Sequence, residues 1–208
     1  MRKVILLLIG ALLTVASGNV EGAITWDSGH HVFTEGSETF VNMFNDASAE
    51  ISGGYIAEFS MYDNTTADIT GGQISILWGQ GSSSVDVYAG SDISLLRPND
   101  SSTSNVYDGQ INHLFVLGDS ITNIYGGEFE QGLSANDSAL IMMYAENIFW
   151  DPEGGSGSSF GVLSGTWLSD GDPFTIDYVD IDCFDHIVFI PEPSTILLIG
   201  LDGLILRA

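Results

Sequence analysis

The apolar positions of the chain recur on a fixed period through its middle. The recurring unit is an aliphatic residue, any residue, a small residue, glycine, any residue and a second aliphatic residue. It reads Ile51-Ser52-Gly53-Gly54-Tyr55-Ile56 and then Ile69-Thr70-Gly71-Gly72-Gln73-Ile74. It returns at Val87-Tyr88-Ala89-Gly90, Val106-Tyr107-Asp108-Gly109-Gln110-Ile111 and Ile124-Tyr125-Gly126-Gly127-Glu128-Phe129. A worn copy follows at Met143-Tyr144-Ala145-Glu146-Asn147-Ile148, and Phe33-Thr34-Glu35-Gly36 precedes the series. Gly36, Gly54, Gly72, Gly90, Gly109 and Gly127 recur at one constant interval, longer by a single position between Gly90 and Gly109. With 25 glycines in 208 residues, that regularity marks an internal repeat.

Each unit opens with a period-two alternation. Ala49 and Ile51, Ala67 and Ile69, Val85 and Val87 point inward, and Glu50, Asp68 and Asp86 point outward, as in a strand with one buried face. The glycines permit a sharp corner. A second apolar column follows at Ile56, Ile74, Ile93, Ile111, Phe129 and Ile148, and a third at Phe59, Leu77, Leu95 and Leu114. Polar stretches such as Asp63-Asn64-Thr65-Thr66 close the units. Strand, corner, strand and loop within one such interval leave no room for a helix. The pattern predicts an all-β chain, a parallel β-solenoid of about seven coils in which each coil covers its neighbour's apolar side. Seven coils at about 4.8 Å make a rod of roughly 30–34 Å. The competing arrangement is an antiparallel β-sandwich, whose turns recur at about 8–12 residues.

In-register stacking turns equivalent positions into columns. Tyr88, Tyr107, Tyr125 and Tyr144 then line one outward strip. Such a strip either stabilises adjacent coils by ring stacking or offers ring faces to sugars. Glu50, Asp68 and Asp86, continued by Asn105 and Asn123, form a second column. Its like charges repel by about 1 kcal/mol per pair in water. The column is either a solvated acidic face or a place for Ca²⁺ between rows. No calcium-roll or EF-hand signature accompanies it, and no other cofactor is expected.

Charge narrows the function classes. Four Lys and Arg stand against 28 Asp and Glu, a net charge of −24. Between Ile24 and Ile190 the only Lys or Arg is Arg97, facing every carboxylate except Glu21, Glu192 and Asp202. A polyanion cannot release counterions from nucleic acid, so DNA and RNA are excluded as partners. A single Cys rules out an intrachain disulfide, and Cys183 reads as a packing residue. At 44% hydrophobic residues the chain has material for a core. β-Helix folds often carry polysaccharide lyases and glycosidases, for which Arg97 is the one basic candidate. His30, His31, His113 and His186 show no metal-ligand spacing, and no nucleophile motif or phosphate loop is present. The expectation is a non-catalytic protein.

The two ends read as addresses. Met1-Arg2-Lys3 precedes an apolar run from Val4 to Leu13 and then small residues, the order of a secretory signal. Cleavage after Ala23 or after Gly18 fits. At the other end, Pro191-Glu192-Pro193-Ser194-Thr195 is followed by an apolar run from Ile196, interrupted by Asp202 and ended by Arg207. This arrangement resembles the PEP-CTERM sorting signal of exported bacterial surface proteins. The resemblance covers Pro191 to Ala208 and no more. It implies that an exosortase-type membrane protease recognises Pro191, Glu192 and Pro193, cuts there and releases the protein to the cell surface or extracellular matrix. It also implies transient membrane association through the C-terminal segment. The run from Phe160 to Phe174 resembles the closing segment of such proteins.

The organisation expected is a signal peptide over 1–23, a β-solenoid over 24–150, a Gly-rich linker and β cap over 151–190, and the sorting signal over 191–208, with hydrophobic helices at both termini. The expected role is structural or adhesive. The alternatives are a carbohydrate-binding module that takes extracellular polysaccharide on the tyrosine strip, and a polysaccharide lyase or glycosidase.

Overall fold

The computed structural model describes residues 23–155 and 159–191. The two apolar segments expected as terminal helices lie outside the described residues, as do Glu192 and Pro193. The described chain is a parallel β-solenoid of about seven turns, closed at its C-terminal end by antiparallel strands.

Two walls of parallel strands build the rod. The first stacks His30–Phe33, residues 48–51 and 66–69, Ser84–Val87, Thr103–Val106, Ile121–Ile124 and Leu140–Met143. The second stacks Ala23–Trp26, Ser37–Met43, residues 55–61 and 73–79, Ser91–Pro98, Gln110–Val116 and Glu128–Ala135. Register steps are those of the repeat: Ile51 pairs with Ile69, Ile69 with Val87, and Val87 with Val106. A sandwich is ruled out by this ladder. No coil closes its own core, because each inward side chain packs between those above and below it.

The second wall changes phase within each strand. Inward side chains fall at Ile56 and Phe59, Ile74 and Leu77, Ile93 and Leu96, Ile111 and Leu114, all at or near zero exposure. The step of three where a strand takes two bends the long strand, and the ladder passes over Ala57, Ser75 and Ser94 there. This corrects the third column. Leu96, not Leu95, occupies the core, because the one longer coil takes its extra residue between Val87 and Ser91. The ladder therefore pairs Gly72 with Ser91 rather than with Gly90. Ser91 is buried and donates its hydroxyl to the Tyr88 carbonyl at 2.6 Å, holding the enlarged corner.

The corner glycines are required. Gly54 and Gly72 have φ of 78° and 86°, and a Cβ on Gly72 would lie 2.8 Å from the Gly53 carbonyl of the coil below.

A second corner joins each coil to the next through one repeated turn. The N–H of Ala47, Thr65, Ser83, Ser102, Ser120 and Ala139 returns to the carbonyl three residues earlier. The second residue of each turn has positive φ: Asn45, Asp63, Gly81, Asp100, Gly118 and Asp137. Gly, Asn and Asp are the residues that tolerate this geometry. The aspartates also cross-link coils. Asp63 accepts the Asn45 N–H at 3.0 Å, Asp100 that of Gly81 at 3.1 Å, and Asp137 that of Gly118 at 3.4 Å. These carboxylates are structural.

The sixth copy of the repeat is divided. Leu140–Met143 joins the first wall, but from Ala145 the chain leaves the parallel stack, so Ile148 belongs to no core column. Ala145–Asp151 runs antiparallel to Phe160–Trp167, which runs antiparallel to Pro173–Asp180. The last of these rejoins the rod where Val179 pairs with Leu133. The strand stops at Asp180, and a short 3-10 turn, Asp182–His186, follows. That turn buries Cys183, whose thiol is pushed up to about 12 chiefly by burial, so the residue packs and does not react at neutral pH. Ile187–Phe189 then pairs in parallel with residues 141–143 as the last strand of the first wall. Its side chains alternate, with Ile187 inward and Val188 outward.

Candidate functional site

The outer surface of the first wall carries both predicted columns side by side, since positions i and i+2 of a strand share a face. The four tyrosines form a continuous stack. Ring centroids are 5.0 Å apart from Tyr88 to Tyr107, 5.0 Å from Tyr107 to Tyr125 and 4.1 Å from Tyr125 to Tyr144, with planes within 20° of parallel. The spacing is that of the coils, so the rings lie face to face along the rod axis. Their faces contact one another, and edges and hydroxyls turn to solvent. A sugar approaching the wall meets ring edges, not the flat platform that face stacking needs. Tyr88, Tyr107 and Tyr125 stay neutral at physiological pH. Desolvation, with the charges of Asp86 and Asp68, raises Tyr88 and Tyr107, and a hydrogen bond to Tyr144 is the main reason that Tyr125 is pushed up to about 12.

Glu50, Asp68 and Asp86 are ladder neighbours. Asp86 is relieved by Asn105, which donates to it at 2.7 Å and accepts from Asn123 at 2.8 Å. Asp68 sits between two carboxylates. Partial desolvation, then Asp86, then Glu50 raise its pKa. The folded state therefore favours protonated Asp68, and stability falls as pH rises from the ordinary carboxylate range through the raised value, staying lower above it. Asp68→Asn is expected to melt higher than wild type at neutral pH in low salt, by less than about 1 kcal/mol of stability. The gain should shrink with added salt. Thermal melts at two ionic strengths check this; a lower midpoint for the variant at low salt would contradict it. Among the described residues no group of three or more His, Cys, Asp or Glu is placed to hold a metal ion.

A different face carries the one described Lys or Arg. Arg97 lies in the second wall, paired with Trp78, and its guanidinium sits 4.4 Å from the Trp78 ring centroid and 5.3 Å from that of Phe115. Sequence reasoning found Arg97 but missed its neighbours. The signal was available: Trp78 stands one repeat before Arg97 and Phe115 one repeat after it, in the coils to either side.

Where the cap meets the rod, Asp108, Glu128, Glu130, Asp170, Asp172 and Asp177 surround a groove of about 520 Å³ floored by Phe129, Trp167 and Phe174. These carboxylates come from three segments far apart in sequence. Of the expected processing residues only Pro191 is described, just beyond Ile190, whose N–H donates to the Met143 carbonyl at 2.9 Å. Among the described residues no helix is long and apolar enough to cross a membrane. Comparisons with protein-family models, curated proteins and solved structures find no match to this chain.

Proposed function

We propose that this chain is an exported cell-surface or extracellular-matrix protein, sorted by an exosortase-type protease, whose acidic solenoid has a structural or adhesive and non-catalytic role. The observation that supports the reading is that the motif follows directly on the last described strand. Among the described residues Ile187–Phe189 is the final strand of the first wall, the Ile190 N–H donates to the Met143 carbonyl beside it, and Pro191 begins the Pro-Glu-Pro motif immediately afterwards. A cut at the motif would leave every described strand whole. Two prolines hold such a segment extended, as a protease cleft requires.

The features of the rod favour a structural role. The tyrosine faces are spent on one another, and several carboxylates tie coil to coil. The remaining acidic surface keeps rods apart at low salt, and divalent cations such as Ca²⁺ would screen it. Intact-mass spectrometry of the protein recovered from the cell surface tests the sorting step. The expected product has lost the segment after the motif, and Glu192→Ala is expected to retain it. Wild-type protein recovered with Ala208 still attached would refute the reading.

A further inference from the structure

We infer that the Arg97 face binds an amphiphilic monocarboxylate, a single carboxylate carried on an apolar body. Arg97 is the only Lys or Arg among the described residues of a chain with net charge −24. In such a chain an arginine is expected to be claimed by a carboxylate, yet none of the described carboxylates bonds to it. Its coil instead sets it in a column between Trp78 and Phe115, whose rings hold the guanidinium plane from both sides. Fixing the plane removes much of the rotamer freedom that an exposed arginine loses on binding.

The surroundings specify the rest of the ligand. Ladder neighbours Ile76, Leu95 and His113 form the adjacent outward column. All three are half-buried, and desolvation lowers the His113 pKa, keeping the ring neutral at pH 7. The charge of Arg97 is therefore bordered by apolar or uncharged side chains. An anion here gains a bidentate partner for two oxygens, and its apolar body gains a surface to cover.

Four buried side-chain polar atoms lack a hydrogen-bond partner among the described residues, and two of them, Trp78 Nε1 and Arg97 Nε, belong to this stacked pair. Both N–H groups are closed off from solvent by the stack itself, so an incoming carboxylate bonds the terminal guanidinium nitrogens and not these two atoms. The other two, on Thr65 and Thr122, are isolated in the core. The overall negative charge repels an anion in proportion to its own charge, so a monoanion is disfavoured least.

The test titrates full-length protein with 3-phenylpropionate and separately with its amide, which has the same shape and no charge. The readout is the indole N–H resonance of Trp78, assigned through Trp78→Phe. The carboxylate is expected to shift it saturably and the amide to leave it unmoved. Arg97→Gln is expected to weaken carboxylate binding by about tenfold to a hundredfold. Equal shifts with acid and amide, no saturable shift at all, or unchanged binding by a folded Arg97→Gln would each overturn the inference. The acid–amide comparison on the wild type decides the matter even if the variant does not fold.

Discussion

Gly132→Ala is expected to unseat the terminal cap and to destabilise the protein by on the order of 3 kcal/mol or more, at the upper end of single-substitution effects. Gly132 has φ of 104° and sits at the bulge where Glu128–Ala135 receives Pro173–Asp180. A Cβ there would lie 1.7 Å from the Tyr178 carbonyl oxygen and 2.5 Å from its carbon, both backbone atoms that cannot swing aside. The strand carrying Tyr178 must therefore withdraw, taking the Leu133–Val179 pairing with it. Val179 and Ile176, buried beneath the cap, would then meet water, and the edge of the last long coil would lose its cover. Gly171→Ala is the matched control. Its φ is 80°, but no atom lies within 4 Å of the added Cβ, so only the backbone term of roughly 1 kcal/mol remains. Thermal melting with light scattering distinguishes them: the first variant should melt well below the control and aggregate as it does so. Similar midpoints for the two would mean that the cap is not seated through Gly132.

The parallel rod was legible because one constraint acts on every coil. An inward position must be apolar or small in each turn, so Ile51, Ile69, Val87, Val106, Ile124 and Met143 repeat visibly, and their step equals the ladder register. The glycine corner was legible for the same reason. The other corner was not, since Asn45, Asp63, Gly81, Asp100, Gly118 and Asp137 share a backbone conformation rather than a side-chain chemistry. Read as composition, they look like polar loop. The orientation of the tyrosine rings was also hidden. Sequence places four rings in a column, but whether faces meet each other or solvent depends on side-chain torsions and the coil spacing. The acidic groove at the cap draws on residues 108, 128–130 and 170–177, a juxtaposition made by antiparallel strands that follow no repeat. Arg97 stood out by scarcity alone; its ring partners emerge only once the step of the repeat is applied to the outward positions.

The placement of the single extra residue in the fourth coil has the sharpest energetic consequence. Leu95 and Leu96 are adjacent and chemically identical, and they lie on opposite sides of the wall. Leu96 is fully buried, aligned with Leu77 and Leu114, whereas Leu95 faces outward beside Arg97. Leu96→Ala is expected to cost about 2–5 kcal/mol, combining lost transfer energy with the cavity left between two coils that cannot close over it. Leu95→Ala should cost less than about 1 kcal/mol, since part of its surface is already wet. Because each coil is covered only by its neighbours, the damage from Leu96→Ala should be felt first by the coils on either side. Amide exchange would show this as lost protection in residues 73–79 and Gln110–Val116 ahead of the rod's ends. Denaturant titration of the two variants tests the phase directly: comparable losses, or a larger one at Leu95, would put the inserted residue after the second wall rather than before it.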